Sequence, residues 1–143
     1  MAEVTSHSLQ FDADACQARE VLDRVADKWS LYVVATLSED EYRFTEIKRS
    51  IDGISQRMLT VTLRGLERDG IVTRTIYSAM PPNIAYRLTD LGKTLWEATA
   101  PLVAWAMEHL SKIDVARTRY DEIRAAEEKN AISAQSRHPS SVL

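Results

Sequence analysis

The chain has 143 residues, 45% of them hydrophobic and 27% charged, the composition of one soluble globular domain with one core. Its one cysteine, Cys16, excludes an internal disulfide framework and a multi-cysteine metal site, and no stretch reaches the ~18 apolar residues of a membrane span. The net charge of −3 hides an uneven spread: residues 1–42 carry 3 basic and 9 acidic side chains, residues 43–87 carry 8 and 4, and residues 88–143 carry 7 and 8.

Residues 1–11 read as a loose arm without the basic start and apolar core of a secretory signal, which with the lone thiol points to a reducing, cytoplasmic setting. From Asp12 the pattern turns helical, with Asp12 or Asp14 as cap and Cys16, Val21, Leu22 and Val25 on one face. Lys28–Leu37 is apolar without Gly or Pro. Its short length suits helix or strand, and the helical segments around it favour a buried helix. Ser38 to Tyr42 is an acidic connection. Phe44 to Ile51 places Phe44, Ile47 and Ile51 on one helical face. Asp52-Gly53 marks a turn and Ser55 takes the N-cap position of the next helix, which Gly70 ends.

Ile71 to Ser78 is rich in β-branched residues and reads as a strand, with Ile84 to Leu88 as its partner. Ala79 to Asn83, with Pro81 and Pro82, forms the tip between them, where proline costs no ladder hydrogen bond. Thr89 caps a long helix with apolar surface from Leu91, Leu95, Leu102, Val103, Trp105, Ala106 and Leu110; Pro101 is expected to kink or divide it. Residues 114–129 read as a helical extension and 130–143 as a disordered tail. The expected fold is mainly α with a small β-wing: a winged helix-turn-helix domain over 12–113 with terminal dimerisation helices.

The helix from Ser55 to Asp69 has two chemistries at ~100° per residue. Leu59, Thr62, Leu63 and Leu66 fall on one side; Arg57, Thr60, Val61, Arg64 and Arg68 fall on the other. Arginine can clamp phosphate or read the guanine edge, and Gln56 and Thr60 suit adenine and thymine edges. A local basic surface on an acidic chain suits double-stranded DNA, bound with counterion release. Ser55, Gln56, Arg57, Thr60 and Arg64 are therefore the candidate groove residues, and Arg43, Lys48, Arg74 and Arg87 the candidate phosphate contacts. Gly65 inside this helix costs about 1 kcal/mol relative to Ala, and either permits close approach of another backbone or is simply tolerated.

In order and spacing, Cys16, Lys28-Trp29, Arg43-Phe44, Gly53-Ile54-Ser55-Gln56-Arg57-Met58-Leu59, Leu63, Leu66, Asp69-Gly70, Thr73-Arg74, Pro81-Pro82, Tyr86-Arg87-Leu88-Thr89-Asp90-Leu91-Gly92 and Trp105 resemble the HxlR family of bacterial transcription regulators. These are winged helix-turn-helix proteins related in architecture to MarR regulators. The resemblance implies a homodimer on a roughly palindromic operator, joined through Ala13–Ala26 and Leu91–Ile113 with its extension, and more often a repressor than an activator. Three positions depart from the pattern: Ala26-Asp27 replaces a glycine-containing pair, Val61 replaces a polar residue, and the wing tip ends in Asn83 rather than a basic residue.

Members of the family that sense quinones, electrophiles or hypochlorite often carry a cysteine where Cys16 stands. The resemblance thus implies redox sensing at Cys16 through a bridge across the dimer, a mixed disulfide or an adduct. The competing reading is a small hydrophobe packed between helices. Trp29, Trp96 and Trp105 suit the core or a dimer interface, with a small-molecule inducer held there as an alternative to a redox signal. His7, His109 and His138 lack metal-ligand spacing, and no phosphate loop, HExxH or GxSxG occurs, so no cofactor, metal or enzymatic activity is expected. A winged-helix module binding proteins instead of DNA is the alternative of a different class.

Overall fold

The computed structural model describes the backbone of residues 13–137 and the side chains from residue 18 onward. The N-terminal arm, the capping role of Asp12 or Asp14, the side chain of Cys16, His7, and residues 138–143 lie outside the described residues. The elements run α1 (Ala13–Val25), α2 (Lys28–Leu37), β1 (Tyr42–Arg43), α3 (Phe44–Ser50), α4 (Gln56–Arg68), β2 (Val72–Ser78), β3 (Asn83–Leu88) and α5 (Asp90–Ser136). The chain divides into two units, Met1–Ala100 and Pro101–Leu143. The first holds α1 to α4, the sheet and the start of α5; the second is the remainder of α5.

The apolar run Lys28–Leu37 is a helix because it is packed on several sides: α2 touches α1, α3, α4 and β3. Val33, Val34 and Leu37 meet Ile47 of α3 and Leu59, Leu63 and Leu66 of α4, with Val72, Tyr86 and Leu88 closing the core from the sheet. Each such aliphatic side chain contributes roughly 1.5–3 kcal/mol by leaving water. Asp27, where the family pattern has a glycine pair, caps α2: its carboxylate accepts from the Ser30 N–H at 3.3 Å.

The sheet order is β1-β3-β2, antiparallel throughout. Val72 pairs with Leu88, Arg74 with Tyr86 and Ile76 with Ile84, and the register shifts between Ile76 and Ser78. The tip carries a cis Met80–Pro81 bond. The strand anticipated from Ile71 begins at Val72, since the Ile71 N–H donates to the Leu66 carbonyl at the end of α4. The acidic connection ends in the two-residue strand β1, which Tyr86 and Ala85 of β3 pair.

Gly70 closes α4 with φ +75°, a left-handed conformation that suits glycine. Thr89 then fastens three elements together. Its N–H donates to the Ile71 carbonyl at 3.0 Å, and its hydroxyl accepts from the Gly92 N–H at 3.1 Å. Gly92 is required for that junction, because a Cβ there would collide with the Ile71 carbonyl oxygen and press within 3.1 Å of Leu88 Cδ2.

Two expectations for α5 are corrected. Pro101 does not divide the helix, which runs unbroken from Asp90 to Ser136. Proline removes one hydrogen bond, and the intact turns on both sides carry the helix past it. Residues 130–136, expected to be disordered, continue the same helix, as do residues 114–129. The stretch AAEEKNAISAQ is rich in Ala, Glu, Lys and Gln, good helix formers, and lacks Gly and Pro.

Candidate nucleic-acid interface

The second helix of the helix-turn-helix is built as its sequence periodicity implies. The Ser55 hydroxyl accepts from the Met58 N–H at 3.0 Å, which fixes the start of α4. Leu59, Thr62, Leu63 and Leu66 are buried. On the opposite side Arg57, Val61, Arg64 and Arg68 are exposed and Thr60 is half-buried, and Gln56 is exposed in the first turn. Among the described residues Arg57 and Arg64 lie within ion-pair distance of no carboxylate, so both guanidinium groups are open to an external anion. The Thr60 hydroxyl donates to the Gln56 carbonyl at 2.8 Å, which leaves its methyl group and its oxygen lone pairs as contact groups. Val61 stands 57% exposed amid this polar face and offers only an apolar surface.

The candidate phosphate contacts separate. Lys48 lies exposed on α3 and shares with Arg49 and Thr45 a shallow hollow of about 440 Å³ at the α3–α4 turn. Arg43 precedes α3, where its backbone N–H donates to the Glu46 carboxylate at 3.0 Å and its side chain is exposed. Arg74 is held by Glu67 of α4, Nε to Oε1 at 3.4 Å. Burial raises the Tyr86 phenol above its ordinary pKa, opposed by Arg74 and Arg64 and reinforced by Glu67.

Arg87 pairs with Thr73, one residue from the Arg74–Tyr86 pair, and so points to the other face of the sheet. There it lines an open hollow of about 570 Å³ with Glu39, Asp40, Glu41, Asp90 and Lys93. Tyr77 donates from its hydroxyl to Glu41 at 2.9 Å, a bond that raises the phenol pKa, while Arg87 opposes the rise. The structure therefore gathers Arg57, Thr60 and Arg64 on one side of α4 with Gln56 exposed in its first turn, ties Arg74 to Glu67 of the same helix, and sets Arg87 among acids elsewhere.

One contact has only a weak sequence signal. Gly65 admits a side chain rather than another backbone: a Cβ there would strike the Arg24 guanidinium, which reaches across from α1 and pairs with Asp69 at 2.6 Å. A glycine amid strong helix formers hints at close approach but does not name the neighbour. Trp29 and Trp96 pack against the core. Trp105 is 53% exposed and stacks on His109 with ring centroids 5.0 Å apart. Among the described residues no three His, Cys, Asp or Glu are grouped to hold a metal ion, and no helix is long and apolar enough to cross a membrane.

Residues 24–114 match the model of the HxlR-like helix-turn-helix family. The chain belongs to the HxlR family. It is accordingly a helix-turn-helix transcriptional regulator, a DNA-binding protein and not an enzyme. The uncharacterized HTH-type transcriptional regulator YtfH of Escherichia coli strain K12 is 37% identical over 101 residues, which cover 71% of this chain and 80% of the relative. The solved structure of the YtfH regulator from Salmonella typhimurium superposes with a TM-score of 0.69 at 33% identity, covering 73% of this chain and 94% of that one. The redox regulator HypR in its reduced form gives 0.63 at 34% identity, covering 68% and 97%. In this HxlR chain the matched segment takes in α2 to β3 and the start of α5, which runs on to Ser136, beyond the match.

Proposed function

We propose that this protein is a homodimeric, sequence-specific repressor that acts in the cytoplasm and places α4 in the DNA major groove. The observation that carries the reading is the polarity of α4, whose buried side is aliphatic and whose open side offers Gln56, Arg57, Thr60 and Arg64. Arg57 and Arg64 bind base edges or phosphates, Gln56 and Thr60 refine the base choice, and Ser55 holds the helix start toward the backbone. Lys48 and Arg43 add phosphate contacts. Arg74 joins them only by giving up Glu67, an exposed pair of small worth. Arg87 contributes least, since acids surround it.

The dimer reading is supported by apolar side chains left in water on the terminal helices: Val21 and Leu22 of α1, and Leu102, Trp105 and Leu110 of α5. Two copies would set two α4 helices in successive major grooves, roughly 34 Å apart on a near-palindromic operator. The signal is proposed to be oxidation at Cys16. The family resemblance and the structural likeness to a redox regulator support it, as does the position of Cys16 within α1. Two Cys16 thiols, one per protomer, would lose two electrons and two protons to an oxidant such as diamide and join as a disulfide.

The test is fluorescence anisotropy on DNA from the regulator's own upstream region, reduced and diamide-treated, against scrambled duplex. Binding that resists competitor, is lost on oxidation and returns with thiol is expected. A Cys16→Ser protein that releases DNA as wild type does would remove the redox role. Affinity that does not fall between 50 and 200 mM salt would remove the DNA role, because each phosphate contact costs roughly 0.9 log units per decade of salt.

A further inference from the structure

One aliphatic side chain of α4 contributes nothing to the core. Val61 is 57% exposed, and the buried side of the helix is made by Leu59, Thr62, Leu63 and Leu66. At ~100° per residue, Val61 falls with Arg57, Arg64 and Arg68 inside an arc of about 60°. It stands one turn after Arg57 and one turn before Arg64, neither of which has an ion-pair partner among the described residues. Its place is thus within the cationic face, where the family pattern has a polar residue. A β-branched side chain at an open helix position also costs helix propensity relative to Ala, with no burial here to offset it.

In the major groove the base pairs differ in their polar edges and in one apolar group, the C5-methyl of thymine. A side chain with two methyl groups and no donor or acceptor can tell these edges apart in two ways. Against thymine it buries a methyl group. Against the N4 amino group of cytosine, or the N7 of a purine, it displaces water without replacing the lost hydrogen bond. Both effects favour the same base. Thr60 carries a methyl group as well, but it is half-buried on the flank of the face and its hydroxyl is bonded to the Gln56 carbonyl at 2.8 Å.

With α4 seated in the major groove as proposed above, on which this contact depends, we infer that Val61 is a specificity residue that reads the C5-methyl group of one thymine in each half-site. Arg57 and Arg64 hold the DNA on either side of it, and the methyl contact selects thymine over cytosine between them.

The test starts from operator duplexes selected from a random library by the full-length, reduced protein. Each thymine is then replaced singly by uracil, which removes only the C5-methyl group. At one thymine per half-site the affinity should fall about fourfold, the equivalent of one methyl group returned to water. In Val61→Ser, an exposed change of similar helix propensity, the same exchange should alter affinity by less than about twofold, whereas Thr60→Ser should keep the full loss. Circular dichroism shows that both variants are folded. A uracil series with no sensitive position, a loss that persists in Val61→Ser, or one that disappears in Thr60→Ser would overturn the inference. So would binding that tightens only when a cytosine carries a 5-methyl group, since the methyl read would then belong to a modified cytosine. A selection that enriches no sequence would remove base reading by α4 altogether, an outcome distinct from an enriched site that is indifferent to uracil.

Discussion

Helices α4 and α5 differ in how they are held. α4 has 13 residues and buries four of them in its own domain. α5 has 47 residues and buries only Gly92 among those described. A short helix locked by its core presents an external face in a fixed orientation, which base reading needs. A long helix that packs on the core only near its start, through Leu95 and Trp96, is held over the rest of its length by backbone hydrogen bonds and helix propensity.

The contrast is broken most directly in the core. Leu63, 1% exposed, changed to Ala should lower unfolding free energy by about 2–5 kcal/mol in urea titrations, while Val115→Ala, at a 69% exposed site, should change it by less than about 0.5 kcal/mol. Equal effects would mean that the extension shares the core's stability. Next comes the junction where α5 meets the rest of its unit. Gly92→Ala should cost roughly 1–3 kcal/mol in the same titration, because the rigid Ile71 carbonyl cannot move aside cheaply.

On the reading face, Arg64→Ala should weaken specific operator binding by about 1–3 kcal/mol, while Arg87→Ala should produce a distinctly smaller loss in the same anisotropy assay. The reverse order would put the sheet's acidic hollow, and not α4, at the DNA. A milder loss than at Leu63 is expected at the cap. Ser55→Ala should reduce thermal stability by about 1 kcal/mol through the freed Met58 N–H, and this should show in calorimetry while the α4 face keeps its charge.

Much of the fold could be read from local chemistry. Ser55, Gly70 and Thr89 announce element ends by residue type, and the two-sided pattern of α4 follows from its 3.6-residue period. The grouping of Arg57, Thr60 and Arg64 follows from that same period, with Gln56 exposed in the first turn of the same helix. The features that were missed depend on distant partners. Strand β1 has two residues and no pattern of its own; it exists because β3 offers an edge. The separation of Arg74 from Arg87 depends on strand register, and two basic residues on neighbouring strands look alike without it. Helix at residues 130–136 was obscured by polar composition, which describes a solvated helix as well as a tail.

Arg24 gives α1 a grip on the back of α4. Its guanidinium lies across Gly65, one residue from Arg64, and is anchored at Asp69, at the end of the same helix. The helix that contains Cys16 therefore ends in a strut bearing on α4 at its last turn. The contact fixes the end of α1 against that turn. The glycine that weakens α4 as a helix is the notch in which that strut is seated.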